Sequence, residues 1–474
     1  MTQNNQNALK GPERNRQNKT LVPVVSAIGP SGEIIETVFD SRDDKPRLAI
    51  WRHGKAAILD SYCPDTATRY VPMRNIAALV EHNVVRLPQA PMDYGEVADL
   101  VEAIRAYIHK YVDVPDAFER LAANYVLLSW VHDRFNELPY LRRRGDYGTG
   151  KTRFLTVVGS ICYKPIFAGG ASTTSPIFHL LDQIGGTLII DEADFRFSDE
   201  SALIAKILNA GNVKGYPVLR SETSNGKDFV PRAFKVFGPK IIGMRGRYHD
   251  PALESRFLTE TSSNPSLRAD VPISLPSQQE ADASILRNKL LMYRFTQFAR
   301  FGDPKPLDVD QHAIEPRMHQ ILAPLLSVTE ALEDREAILA HAVAAQAALA
   351  DARGQSLEAE VLTVIKKRMQ SETGPGVSVQ SIAIDHARAF QDRSVKPVGA
   401  RAMGHIVRTR LNVKTTKSHG VFIVPKLQGD TLDRLYRRYG VSDEDVALLA
   451  ERLGEVTRVE TGDVGEDGRQ AETA

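Results

Sequence analysis

An eight-residue glycine motif at residues 145–152 limits what this chain can fold into more than any other feature of its sequence. It reads Gly-Asp-Tyr-Gly-Thr-Gly-Lys-Thr, the full pattern of a phosphate-binding loop. Such a loop works only between a strand and a helix, because its backbone N–H groups and the helix N-terminus must face one anion. An apolar run from Leu138 leads into the motif, and residues 152–158 have helical character. The motif therefore predicts a strand, a loop and a helix within a parallel α/β sheet.

Each residue type in this motif has a chemical reason. Gly145, Gly148 and Gly150 leave room for backbone N–H groups to face the β-phosphate of a nucleotide. Lys151 can reach the β- and γ-phosphates, and the Thr152 hydroxyl is a suitable ligand for Mg²⁺. We therefore expect ATP and Mg²⁺ at this loop, with Lys151 also taking part in catalysis. A chance glycine turn would not need the flanking strand and helix.

An acidic pair follows a second short apolar run. Residues 187–190, Thr-Leu-Ile-Ile, predict a buried strand, and Asp191 and Glu192 stand at its carboxyl end, where ligands bind in an open parallel sheet. We expect Asp191 to hold Mg²⁺ and Glu192 to polarise the attacking water. An acidic pair after a strand is usually a helix N-cap, but the preceding phosphate loop favours catalysis. Residues 191–194 also spell the DEAD-box motif, although the second, arginine-rich lobe of those helicases has no counterpart in this sequence.

Composition excludes several classes of protein. The net charge is +1, so any nucleic-acid binding must come from local basic patches rather than from bulk charge. Cys63 and Cys162 belong to no CxxC or Cys/His cluster, which argues against a disulfide scaffold and a structural zinc site. No apolar run approaches the ~18–20 residues of a membrane span. The polar N-terminus lacks the apolar core of a secretion signal, so we expect a cytoplasmic protein that does not enter a membrane.

Turn-forming residues and the periodicity of apolar residues divide the chain into segments. Short β-rich runs separated by Gly, Pro and Asp come first, a helical period begins near Gly95, and apolar strands and helices alternate after residue 138. The predicted segments are a disordered leader at 1–20, a β-rich N-terminal module at 21–92, a helical linker region at 93–137, a P-loop ATPase core and lid at 138–303, a helical connector at 304–357, a winged helix at 358–440, and a helix with an acidic tail at 441–474.

Two further stretches of sequence add to the evidence from the nucleotide motifs at 145–152 and 187–194. They are Phe-Gly-Pro-Lys-Ile-Ile at 237–242 and Pro-Ala-Leu-Glu-Ser-Arg-Phe at 251–257. With these four stretches, residues 140–301, about a third of the chain, resemble the AAA+ cores of phage, plasmid and genomic-island helicases of the superfamily 3 and MCM-like groups. The resemblance implies a parallel-sheet AAA+ core with a helical lid. It also implies an ATP-dependent DNA helicase or translocase that replicates a phage or mobile element as a homo-hexameric ring around single-stranded DNA.

The resemblance also assigns roles to single arginines. The arginine finger, which completes the ATP site of a neighbouring subunit, matches Arg256, with Arg247 as a competing candidate; otherwise Arg256 caps a helix C-terminus. Sensor 1 is usually Asn, Thr or Ser, but this chain has Ile-Gly-Met-Arg there, so either Arg245 replaces it or the alignment shifts by a few residues. Arg287 in the lid matches the sensor-2 arginine that binds the nucleotide, although lid arginines are also ordinary solvated charges.

A hairpin is predicted between residues 216 and 234. Asn225-Gly226 between apolar runs is a strong turn signal. Helicases of the groups that this chain resembles carry a hairpin in this interval whose tip grips the DNA backbone in the central pore. We therefore expect Lys227 at the tip and Arg220 on a flank to contact DNA. The alternative is an exposed hairpin with an incidental lysine.

The segment 358–440 has the helix–helix–helix–hairpin order of a winged helix. Residues 397–412 predict its recognition helix, and a basic wing follows. The expected DNA contacts are Arg401, His405 and Arg408 on the helix, which would face the duplex groove, and Lys414 and Lys417 on the wing, which would contact phosphates. The same arrangement also serves protein contacts, with the charges merely solvated.

Two other functions fit the same motifs. One is an AAA+ ATPase that loads or remodels other proteins without unwinding DNA, which would not need Lys227. The other is a DNA-binding regulator in which the phosphate loop senses a nucleotide and turns it over slowly. Activity measurements on Lys151 and Lys227 variants separate these functions from a helicase.

Overall fold

The computed structural model divides the chain into two units, residues 1–343 and residues 344–474. It describes residues 19–40, 42, 45–169, 174–191, 199–224, 228–248, 250–262, 267–304, 314–354, 356–390, 397–418 and 420–461. Two predicted site residues, Glu192 and Lys227, lie outside the described residues, as do most of the predicted leader and the end of the predicted tail. Among the described helices, none combines the length and the apolar composition that crossing a bilayer requires.

The first unit begins with a series of short strands. Its antiparallel sheet runs in chain order through β2 (Ser26–Ile28), β3 (Ile34–Asp40), β4 (Lys45–Arg52) and β5 (Lys55–Leu59). A separate parallel pair joins β1 (Thr20–Val24) to β6 (Thr68–Pro72), and the short helix α1 (Ile76–Glu81) follows. Strand β3 is buried along nearly its whole length, and Ile34 and Val38 belong to the main hydrophobic core of the unit.

Two helices precede the phosphate loop, α2 (Val97–Tyr111) and α3 (Asp116–Val131). A reciprocal capping box between Glu96 and Asp99 begins α2. Both helices pack against α8 (Gln278–Gln297), and α3 also packs against α9 (Pro316–Val328). Residues predicted as a helical linker therefore form part of the main core of the first unit.

The central sheet has five parallel strands in the order β13-β7-β12-β9-β8. The strands are β7 (Tyr140–Gly145), β8 (Ile166–Ala168), β9 (Leu188–Ile190), β12 (Lys240–Met244) and β13 (Phe257–Ser262). The helices between them are α4 (Lys151–Ser160), α5 (Thr174–Ile184), α6 (Asp199–Ala210) and the single turn α7 (Pro251–Glu254). Because all five strands are parallel, the residues that follow them meet at one edge of the sheet, where ligands bind.

The predicted hairpin is confirmed. Strand β10 (Val218–Ser224) pairs antiparallel with β11 (Asp228–Phe234), from Val218 opposite Phe234 to Ser224 opposite Asp228. Three residues, 225–227, therefore connect the two strands.

The second unit has its own apolar core and a three-stranded antiparallel sheet, in the order β14-β16-β15. Helix α10 (Leu332–Gly354) crosses the boundary between the units. The elements that follow are α11 (Leu357–Ser371), β14 (Gly376–Ser378), α12 (Val379–Ala389), α13 (Ala400–His405), β15 (Thr416–Ser418), β16 (Val421–Pro425), α14 (Gly429–Tyr439) and α15 (Asp443–Thr461). The helix predicted over residues 397–412 is shorter, since α13 ends in a π-helical turn over Ile406–Arg410.

A buried carboxylate joins three parts of the first unit. Glu36 of β3 accepts a hydrogen bond from Arg294 Nε of α8 at 2.7 Å, and its other oxygen lies 2.6 Å from Lys164 Nζ, just beyond α4. Tyr163 also donates to it, and Arg294 forms a second, bidentate pair with Asp133. Burial alone would raise the pKa of Glu36, but Lys164 and Arg294 outweigh it and hold that pKa below its ordinary value.

Replacing Glu36 with Gln removes the charge and keeps the shape. We expect this change to lower the free energy of unfolding by about 3–5 kcal/mol, because Lys164 would be left buried without its carboxylate. Chemical denaturation of Glu36→Gln measures the effect, with Glu81→Gln, an exposed glutamate of α1, as the matched control. Equal stability of the two variants would contradict a structural role for this carboxylate.

Candidate functional site

The backbone of the phosphate loop has the conformation that its glycines predict. Gly148 and Gly150 lie in the left-handed region, with φ of +75° and +78°, which favours glycine at both positions. A Cβ on Gly145 would lie 2.6 Å from the Ser262 carbonyl oxygen and 2.6 Å from Thr149 Oγ1. Helix α4 begins directly after Gly150, so its N-terminal N–H groups face the loop.

The side chains of the loop meet the end of β9. Thr152 Oγ1 donates to Asp191 Oδ2 at 2.6 Å. Lys151 Nζ donates to the carbonyl oxygens of Gly145 and Asp146, at 2.7 and 2.6 Å. Mg²⁺ prefers oxygen ligands and usually binds only one or two of them from the protein. Water molecules and substrate phosphates occupy its remaining coordination positions. The Thr152 hydroxyl and the Asp191 carboxylate are protein ligands of this kind. The residues present therefore fit the ion.

A cavity of about 770 Å³ opens over the loop. The phosphate-loop residues from 147 to 153 line one side of it, together with Asp191 and Arg245. Its other side is lined by the connection between α2 and α3, by Arg143, and by the end of β13 with Glu260. The volume lies within the roughly 300–1,000 Å³ of small-molecule sites, so the cavity has room for more of a ligand than its phosphates.

The position where sensor 1 was expected holds a residue whose role the sequence did not reveal. A Cβ on Gly243 of β12 would lie 2.8 Å from Leu155 Cδ1 and 3.1 Å from Asp191 Oδ1. The absence of a side chain there lets β12 pass close to the Asp191 carboxylate. Arg245, two residues further on, lines the cavity, and its guanidinium lies 3.5 Å from the centre of the Tyr147 ring in the loop.

Arg256 lies at the other edge of the sheet from the phosphate loop of its own chain. It directly precedes β13, whose last residue, Ser262, lines the cavity, so about 20 Å of strand separates them. Its side chain is nine-tenths buried, and Nη1 donates to Asn209 Oδ1 and more weakly to the Leu208 carbonyl at 3.5 Å. Burial lowers the pKa of this guanidinium. The competing candidate, Arg247, is exposed.

A buried ion pair holds the segment that carries Arg256. Arg142 of β7 binds Glu254 of α7 through two bonds, at 2.6 and 2.7 Å, and both side chains are almost fully buried. Arg142 Nε also donates to Thr259, and the Tyr248 N–H donates to Glu254 at 2.6 Å. The strand that opens the phosphate loop is thus tied directly to the turn before Arg256.

The structure does not bring Arg287 to the cavity. Its Nη1 donates to the Ser160 carbonyl at 2.9 Å, at the C-terminal end of α4, and Nη2 donates to Glu280 at 2.6 Å. Lys151 begins the same helix, about 14 Å away along its axis. The lid arginine expected at the nucleotide is therefore a buried packing residue between α8 and α4.

The residues predicted to contact DNA are divided between the hairpin of the first unit and the second unit. In the hairpin, the Arg220 guanidinium lies 4.6 Å from the centre of the Phe178 ring, and Lys227 is outside the described residues. In the second unit, all five predicted basic residues are exposed. They are Arg401, His405, Arg408, Lys414 and Lys417. Residues 397–428 hold six Lys and Arg and no Asp or Glu, so this stretch is a concentrated positive region in a chain of net charge +1.

Comparisons with known proteins give distant structural likenesses. No protein-family model and no curated protein matches the chain. A structure of the NrS-1 C-terminal region is 11% identical, with a TM-score of 0.37, covering 82% of this chain and 96% of that one. A full-length MCM homologue from Methanopyrus kandleri is 12% identical, with a TM-score of 0.30, covering 66% and 73%. JCV helicase is 14% identical, with a TM-score of 0.24, covering 52% and 61%. TM-scores this low carry no weight on function.

Adding a methyl group at Gly243 tests whether Asp191 holds a metal. We expect Gly243→Ala to displace the Asp191 carboxylate and to raise the Mg²⁺ concentration needed for half-maximal nucleotide binding by about tenfold, as for other residues that orient a metal ligand. Titration of Mg²⁺ at a fixed ATP concentration measures this half-maximal concentration. Gly169→Ala is the matched control, since a Cβ there meets nothing within 4 Å. An unchanged Mg²⁺ requirement in Gly243→Ala would contradict the expectation that the close approach of β12 holds the Asp191 carboxylate in place for the ion.

Proposed function

We propose that the chain is an ATP-dependent DNA helicase or translocase of the AAA+ type, which works as a homo-hexameric ring in the replication of a phage or other mobile element. The observation that carries the proposal is the meeting of Lys151, Thr152 and Asp191 at one edge of a parallel sheet, beneath a cavity large enough for a nucleotide. That arrangement supports ATP hydrolysis, and the hairpin and the basic stretch of the second unit support DNA as the partner.

In the proposed reaction, ATP binds with its phosphates on the loop. Lys151 leaves the loop carbonyls that it now contacts and binds the β- and γ-phosphates. Thr152 and Asp191 would hold Mg²⁺, which would neutralise charge on the phosphates. Glu192, directly after Asp191, orients the attacking water and accepts its proton.

Arg256 completes the site of a neighbouring subunit in this proposal. Because about 20 Å of strand separates it from the cavity of its own chain, it cannot reach that chain's γ-phosphate. Its guanidinium would exchange the Asn209 contact for a phosphate across the subunit boundary and stabilise the charge of the transition state. The ring is thus part of the catalytic unit.

DNA is proposed to bind in two places. Lys227, in the connection between β10 and β11, would contact the backbone of a single strand in the pore, and Arg220 of β10 would contact it from the flank. In the second unit, the order of α11, β14, α12, α13 and the paired strands β15 and β16 supports the proposal of a winged helix. Its stretch at 397–428, which holds six basic and no acidic residues, supports duplex DNA as the partner, because phosphates bind to concentrated basic charge.

Unwinding and hydrolysis measured together test the proposal. We expect the wild type to hydrolyse ATP and displace a strand, Lys151→Ala to lose both by about 100-fold or more, and Lys227→Ala to hydrolyse ATP without displacement. Lys55→Ala, an exposed lysine of β5, is the control. Hydrolysis without displacement by the wild type would favour a loading or remodelling ATPase. Site-specific DNA binding with very slow turnover would favour a nucleotide-sensing regulator. Either result overturns the helicase.

The second unit gives an independent test of DNA binding. We expect Lys417→Ala to weaken duplex binding equally for all sequences and to lower the slope of log K against log salt by about one, as the loss of one phosphate contact does. Arg408→Ala should instead cost about 1–3 kcal/mol at a preferred sequence and less elsewhere. Fluorescence anisotropy across a salt series measures both, with the exposed Arg452→Ala of α15 as the control. Identical salt slopes for all four proteins would place the DNA elsewhere.

A further inference from the structure

The cavity over the phosphate loop is also lined by residues of a different chemistry from the loop itself. Five of them are apolar: Val112, Val114, Pro115, Leu267 and Ile273. Two charged side chains from neighbouring strands, Arg143 and Glu260, lie among them. Apolar walls with a few placed polar groups are typical of sites that recognise a flat ring by its edge.

Arg143 has donors without acceptors. Its side chain is only 5% exposed, and Nη2 donates to the Asp113 carbonyl at 3.1 Å. Within the part of the chain that the structure describes, its Nε and Nη1 are buried and make no hydrogen bond. An unsatisfied buried donor costs about 1–3 kcal/mol, so an acceptor supplied by a ligand in this cavity would recover part of that cost.

Glu260 places an acceptor beside these donors. It stands directly opposite Arg143 in the parallel register of β13 and β7, so the two side chains lie on the same face of the sheet. Burial raises the pKa of Glu260, while the nearby Arg143 guanidinium acts in the opposite direction and favours the charged carboxylate. The wall of the cavity thus presents a donor set and an acceptor side by side.

We propose that Arg143 and Glu260 bind the base of the nucleotide whose phosphates the loop holds, and that they select adenine. This inference rests on the proposed function only in taking a nucleoside triphosphate as the ligand. Adenine presents an amino group next to ring nitrogens that accept. Glu260 accepts from the amino group, Arg143 donates to a ring nitrogen, and the apolar side chains pack on the ring faces. Hypoxanthine has a carbonyl oxygen in place of the amino group, and this oxygen would face the carboxylate.

Equilibrium binding of ATP and ITP to the full chain, both with Mg²⁺, tests the selection. We expect the wild type to prefer ATP by about tenfold or more, because the wrong base leaves a buried polar group unpaired. Glu260→Gln should reduce this preference, since an amide can also donate to the hypoxanthine oxygen. Arg143→Gln should weaken the binding of both ATP and ITP. Neither variant should change the binding of inorganic triphosphate, which has no base.

Steady-state kinetics separate base binding from a general loss of structure. In Glu260→Gln, KM for ATP should rise while kcat at saturation stays unchanged, and melting temperatures identify any variant that fails to fold. Glu444→Gln, an exposed glutamate of α15, is the control. Equal binding of ATP and ITP by the wild type, a preference for GTP over ATP, or an unchanged ATP-to-ITP ratio in Glu260→Gln overturns the inference alone. A chain that binds no nucleotide removes the proposed function as well. Selective ATP binding without unwinding supports the subsite and removes only the helicase.

Discussion

The first unit depends on a carboxylate that water does not reach. Glu36 can be buried only because Lys164 and Arg294 compensate its charge and Tyr163 donates to it, since an unpaired ion in such a place costs several kcal/mol. Its partners lie just beyond the helix that begins at the phosphate loop and on the long helix α8. One ionic cluster therefore links the β module, the segment that follows the P-loop helix, and α8. The nucleotide cavity is lined by the phosphate loop, the connection between α2 and α3, and the carboxyl ends of strands of the central sheet.

Local chemistry made part of this structure predictable. A phosphate loop requires a strand before it and a helix after it, and the structure has both, β7 and α4. The Asn225-Gly226 pair in the sequence likewise predicted a hairpin, and β10 and β11 pair as its two strands. The contact of Thr152 with Asp191 was foreseeable too, because strands of a parallel sheet end at the same edge. In each case a few adjacent residues carry the whole signal.

What the sequence did not reveal depends on long-range register. Arg143 and Glu260 stand opposite each other only because β13 pairs beside β7, a neighbour relation between residues far apart in the chain. Gly243 is needed because β12 passes close to Asp191, which no local pattern records. The sequence position of Arg287 is the same whether its side chain faces solvent, the nucleotide or the core. The packing of α8 on α4 places it in the core.

The pair of Arg142 and Glu254 has a mechanical consequence. Two short bonds between almost fully buried side chains leave little freedom for the first strand of the sheet to move without the turn that precedes Arg256. A displacement of β7 where the phosphate loop begins would therefore move the turn that carries Arg256 with it. The two edges of the sheet are coupled through this side-chain pair as well as through the backbone, so such coupling requires no hinge between them.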